Sequence, residues 1–98
     1  MSKMQRDKGK RGELEVCSIF RQHEIPAKRI SPLETNHEDK GDIKIADLWI
    51  GEVKLGNHVP KFVYDAVKTE DTQFLFMRRD RKKWLICIDL NFFLDNFF

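Results

Sequence analysis

The sequence predicts a small α/β domain, and three patterns carry that prediction. Apolar residues fall at helical spacing in the first quarter of the chain, two short apolar alternations lie close together near its middle, and two strand-like apolar runs flank a basic stretch near its end. At 98 residues there is room for one domain, 1–98, with a single modest core.

The elements follow in order. From about Gly12 to Glu24, Leu14, Val16, Cys17, Ile19 and Phe20 recur as one helical face. Ile25-Pro26 ends that helix, because the residue before proline disfavours helical angles. Ala27 to Ile30 is a short extended piece. Ser31 to Gly41, polar and carrying Pro32 and Asn36, is a loop. Asp42 to Ala46 alternates, a tight turn falls at Asp47, and Leu48 to Leu55 is a second strand ended by Gly56-Asn57. Pro60 opens a weakly amphipathic helix running to about Glu70. Gln73 to Met77 and Trp84 to Asp89 form a hairpin around the basic run, and the aromatic tail from Leu90 has helical spacing.

Composition excludes several classes. With 41% hydrophobic and 35% charged residues the chain belongs among folded, surface-rich domains. No apolar stretch is long enough to span a bilayer, and the basic N-terminus is not followed by an apolar region, so neither a signal peptide nor an anchor is expected. Cys17 and Cys87 both lie in apolar patterns and read as buried reduced thiols of a cytoplasmic protein. The net charge is +2 but unevenly spread. Lys3, Arg6, Lys8, Lys10 and Arg11 form a basic N-terminal arm over 1–11, opposed only by Asp7. Arg78, Arg79, Arg81, Lys82 and Lys83 form a second basic run, broken only by Asp80. Such patches suit a polyanion, with the acids between them available for other chemistry.

Glu52 and Lys54 lie two apart in a strand and so share a face. Alone, this is an ordinary charge pair. Asp42 changes its meaning: Asp42 and Glu52 each stand five residues from Asp47, so an antiparallel turn there sets them opposite one another. Facing carboxylates repel unless a cation intervenes. Hard oxygen ligands suit Mg²⁺ or Mn²⁺, and no Cys/His cluster competes. On the first helix, at about 100° per residue, Glu13 falls within the apolar arc while Glu15 falls on the solvent side. Glu13 is therefore directed at the sheet that carries the other acids.

The order Glu13, Gly41-Asp42, Glu52-Val53-Lys54 resembles the PD-(D/E)xK nuclease superfamily. Lys8-Gly9-x-x-x-Glu13-x-Glu15 before an apolar helix is similar to the opening of the archaeal-type Holliday junction resolvases. The resemblance covers about the first 55 residues, and the rest only by element order. Gly41 stands where the family more commonly has proline. The resemblance implies a restriction-endonuclease-like fold with a central mixed β-sheet flanked by helices. It also implies a metal-dependent endonuclease that cleaves branched DNA in recombination and repair, in the cytoplasm of a bacterial, archaeal or virus-infected cell. Glu13, Asp42, Glu52 and Lys54 match the catalytic positions. Asp42, Glu52, the Val53 carbonyl and Glu13 would hold Mg²⁺ or Mn²⁺, with Lys54 orienting water or stabilising developing charge. Lys8, Lys10, Arg11 and Arg29 would grip DNA phosphates. A four-way junction offers two symmetric cuts, which implies a homodimer, with the 90–98 tail as a dimer contact or packed back on the sheet.

Alternative functions are a virus-type replication and repair nuclease acting on flaps or nicks, and a non-catalytic DNA-binding module. His23, His37 and His58 share no spacing and are expected to be structural or solvent-exposed, although His37 in the loop before Asp42 is within reach of a substrate. Ser31 either contacts DNA or simply begins that loop, and the second is expected. Trp49 and Trp84 are expected in the core rather than as base-stacking surfaces.

Overall fold

A computed structural model of the chain describes residues 3–30, 41–68 and 70–98. The predicted loop over 31–41, with Ser31 and His37, lies almost wholly outside the described residues. The protein is a mixed α/β structure whose chain divides into two compact units, Met1–His58 and Val59–Phe98.

The first unit holds α1 (Lys3–Gln22), β1 (Ala27–Arg29), β2 (Ile43–Ile45) and β3 (Trp49–Gly51). From Lys3 onward the basic segment is helical and forms the first half of α1. Its Lys, Met and Arg residues are good helix formers, it has no proline, and they outweigh the propensity cost of Gly9. The helix ends where expected, by a different device. Glu24 takes a left-handed φ of 62°, Ile25 N–H donates to Phe20 O at 3.0 Å and Glu24 N–H to Arg21 O at 3.0 Å. That is a Schellman closure ahead of Pro26, made with glutamate instead of glycine.

The three strands form an antiparallel sheet in the order β1-β2-β3. In its register Ile43 pairs with Gly51 and Ile45 with Trp49. Ala46 and Asp47 both have left-handed φ, 54° and 55°, and Leu48 N–H closes on Ile45 O at 3.1 Å. This is the φ pattern of a type I′ turn, whose twist matches that of the flanking strands. α1 packs on β1 and β2, and the buried core is small: Cys17, Phe20, Ala27 and Ile43. Burial pushes the Cys17 thiol up, and Glu13 adds to this against Arg21 and Arg29, so the thiol stays protonated.

The second unit holds α2 (Lys61–Ala66), β4 (Phe74–Met77), β5 (Leu85–Ile88) and α3 (Leu90–Phe97). α2 starts beside Pro60 as predicted but stops at Val67, short of Glu70. β4 and β5 form the predicted hairpin. Asp89 caps α3 instead of ending the strand, its carboxylate accepting from Phe92 N–H at 2.9 Å. The aromatic tail packs back on its own sheet: Phe92 and Phe97 meet Phe74 edge-on, and Leu94 is buried. Cys87 is only half-buried, and both cysteines are free.

Among the described residues all strand pairing is antiparallel and lies in two separate sheets, in place of one central mixed sheet. β3 is also shorter than the predicted Leu48–Leu55, because β2 offers ladder partners only as far as Gly51. No helix among these residues is long and apolar enough to cross a membrane.

Gly12 is buried in the middle of α1, where a Cβ would lie 3.1 Å from Leu55 Cβ and 3.4 Å from Val53 Cγ1. Its absence lets the helix come down on the segment after β3. Gly9, one turn earlier, has nothing within 4 Å. Gly9→Ala should therefore stabilise the protein by roughly 0.5–1 kcal/mol through helix propensity. Gly12→Val should lower stability by about 1–3 kcal/mol through overpacking. Urea unfolding followed by circular dichroism checks both.

Candidate functional site

Asp42 sits one residue before the central strand β2, and three hydrogen bonds pin it. Its carbonyl accepts from Ile30 N–H at 3.0 Å, its own N–H donates to Gly51 O at 2.9 Å, and its carboxylate Oδ2 accepts from Val53 N–H at 2.8 Å. Past the end of the β2–β3 ladder the aspartate side chain thus serves as the acceptor for the neighbouring backbone. It ties the mouth of β2 directly to the Glu52-Val53-Lys54 segment. Asp42 and Glu52 are the residues next beyond the last pair of the ladder, Ile43 with Gly51, and the Asp42 N–H bonds to Gly51 O rather than to Glu52.

Gly41 permits this arrangement. A Cβ at Gly41 would collide with the Ile50 side chain and lie 3.1 Å from Gly51 O. Proline carries the same Cβ, so the approach of this backbone to β3 explains why glycine stands before Asp42.

Glu52 and Lys54 lie side by side in the extended segment after β3, Lys54 Nζ 3.8 Å from Glu52 Oε1. Both side chains are about two-thirds exposed, at 67% and 70%. The pair is loose and wet and adds little to stability.

Glu13 is half-buried on the sheet side of α1, whereas Glu15 is exposed. Its partner went unforeseen in the sequence: Arg29 Nε donates to Glu13 Oε1 at 2.8 Å. The pairing is legible afterwards, since a carboxylate in an apolar helical arc demands a cation, and Arg29 on β1 supplies it. Glu13 therefore belongs first to an ion pair that fixes α1 to β1. Arg29, 34% exposed, has its charge committed in the same contact.

The basic residues of α1 point in different directions. Lys8 leans toward the Gly56 corner, where φ is 128°. Lys3, Met4, Asp7, Lys8 and Arg11 line an open groove along the first turns, and Lys10 is exposed. Trp49 and Trp84 are exposed at 61% and 66%, not in the core: Trp49 opens the β3 strand, and Trp84 lies one residue before β5, in the connection rather than in the strand itself.

Among the described residues no three His, Cys, Asp or Glu side chains gather as a ready-made cation cage. The contacts bring the Asp42 carboxylate to the Val53 amide, next in the chain to Glu52, while the exposed Glu52 carboxylate meets Lys54. The oxygens of Asp42, Glu52 and the Val53 carbonyl are of the hard-donor type that Mg²⁺ or Mn²⁺ takes. Mg²⁺ is commonly held by one or two carboxylates, the remaining positions going to water and substrate phosphate.

Because Asp42 holds the Val53 amide, its replacement should be felt in stability as well as in function. Asp42→Ala leaves Val53 N–H without that acceptor and should cost about 1–2 kcal/mol. Asp42→Asn retains a carbonyl oxygen and should cost less. Chemical denaturation of the three proteins measures the order, and equal stabilities would contradict the contact.

Compared with family models, with curated proteins and with solved structures, the chain has no significant match in any of the three.

Proposed function

We propose that the protein is a metal-dependent endodeoxyribonuclease of the PD-(D/E)xK kind, with a restriction-endonuclease-like organisation. On this reading it cleaves branched DNA at four-way junctions as a cytoplasmic homodimer. The observation that carries the reading is the hydrogen bond from Val53 N–H to the Asp42 carboxylate. It joins the central acid to the E-x-K segment, and these are the residues on which the resemblance rests.

Asp42, Glu52 and the Val53 carbonyl would hold Mg²⁺ or Mn²⁺. A divalent cation there would polarise the scissile phosphodiester and lower the pKa of an attacking water. Lys54, exposed and only loosely paired, orients that water or offsets charge developing on the phosphoryl oxygens. Asp42 is held by three backbone contacts, so its carboxylate is already positioned before substrate arrives. Glu13 acts as a positioning residue through Arg29, or joins the cation shell through water once Arg29 turns to a phosphate. Lys8, Lys10 and Arg11 hold the DNA backbone without reading sequence. Two-fold symmetry fits a junction with two equivalent cuts.

The decisive comparison uses four-way junctions, flaps and plain duplex side by side, with Mg²⁺ and with EDTA. Wild type should cut the junction only with the metal. Asp42→Asn and Glu52→Gln should lower cleavage by at least about 100-fold, as expected when a metal ligand or its support is lost, while junction binding persists. Preferential flap cutting would replace the resolvase assignment with a flap or nick nuclease. DNA binding without any metal-dependent cutting would leave a non-catalytic binding module.

A further inference from the structure

The β4–β5 hairpin carries a stripe of side chains that the site above does not use. Phe74 pairs with Ile88 and Phe76 with Ile86. In the same register Arg78 and Trp84 come opposite one another just beyond the last pair, Met77 with Leu85. Strand alternation puts these six on one face. α3 covers the inner end of that face, where Phe92 and Phe97 meet Phe74 at ring separations of 6.4 and 6.2 Å. The outer end is open: Phe76 is 63%, Ile86 56% and Trp84 66% exposed.

The outer end is also where the charge lies. Arg78 sits 5.4 Å from the centre of the Trp84 ring. The connection from Arg78 to Lys83 carries five cations against Asp80 alone, and turns where Lys82 N–H donates to Arg79 O at 3.0 Å. Exposed aromatic faces beside a run of cations match the chemistry of unpaired nucleotides, whose bases present π faces and whose backbone presents phosphates. A second copy of the chain matches it poorly. On a two-fold interface the same patch meets itself, and two strongly basic loops would be driven together.

We propose that the outer half of this hairpin face binds single-stranded DNA, with Trp84 and Phe76 stacking on unpaired bases and the 78–83 cations on the flanking phosphates. The choice of DNA rests on the nuclease reading. The stacking chemistry stands on the hairpin alone, and it names the part of a branched substrate that this unit would recognise.

The test uses the full chain in EDTA, with Trp49→Phe as background so that Trp84 is the sole tryptophan. Titration with oligothymidylate should quench its fluorescence to saturation. Measured by anisotropy of a labelled strand, Trp84→Ala should weaken single-strand binding roughly tenfold, and Trp84→Phe, which keeps a π face, should retain most of it. Paired Arg79→Glu and Lys82→Glu should weaken binding and flatten its salt dependence. Absence of quenching, or a Trp84→Ala protein that binds as wild type does, overturns the proposal. So does self-association in sedimentation that Trp84→Ala abolishes, since the face then belongs to a second copy. If wild type cuts nothing but Trp84-dependent binding persists, the nuclease reading falls and this one stands. Intact cutting with binding indifferent to Trp84 gives the reverse.

Discussion

The first unit depends on one interaction, the acceptance of the Val53 amide by the Asp42 carboxylate. β2 is only three residues long and lies between two other strands. Asp42 extends its reach by donating to Gly51 on one side and accepting from Ile30 on the other, while its side chain crosses to residue 53. Without that last contact the segment carrying Glu52 and Lys54 would leave the sheet at Gly51 held only by the packing of Val53 and Leu55 against α1. A carboxylate accepting a backbone N–H forms a charge-assisted bond, stronger than a neutral one and more exacting in geometry. The same oxygen chemistry that secures the backbone is what the proposed cation site would use.

Two glycines and one ion pair support this arrangement from outside. Gly41 lets the incoming chain lie against Ile50 and Gly51, and Gly12 lets α1 descend onto Val53 and Leu55. The Glu13–Arg29 pair then fixes the helix to β1. Each of these replaces hydrophobic area that a unit with so few buried side chains lacks. The consequence is a rigid frame around Asp42 and a loose, solvated pair at Glu52 and Lys54. On the proposed reading, that division would suit a substrate that brings its own phosphates, with the frame set beforehand.

Much of this was legible in the sequence. Alternation around Asp47 gave the hairpin and its register, and helical spacing separated Glu13 from Glu15. Proline and the apolar arc located the end of α1, and the tail was recognisable as a helix. The rest depends on what local pattern cannot encode. The extension of α1 back to Lys3 is a propensity effect with no apolar face to announce it. The partition of strands into two antiparallel sheets depends on which ladders run out of partners. The Glu13–Arg29 pair depends on tertiary approach across sixteen positions. The exposure of Trp49 and Trp84 is likewise invisible to a strand pattern, which marks a residue as apolar without saying whether anything covers it. The proposed chemistry rests on the resemblance to PD-(D/E)xK nucleases, and the contact of Asp42 with Val53 is the geometry through which it is tested.

The central claim is that Asp42, Glu52 and the Val53 carbonyl form a divalent-cation site. A crystal soaked in Mn²⁺ and measured at the manganese absorption edge tests it most directly. The account predicts an anomalous peak between the Asp42 and Glu52 carboxylates that is lost in Asp42→Asn. A well-ordered Asp42 and Glu52 without such a peak, in crystals where Mn²⁺ is bound elsewhere, would contradict it.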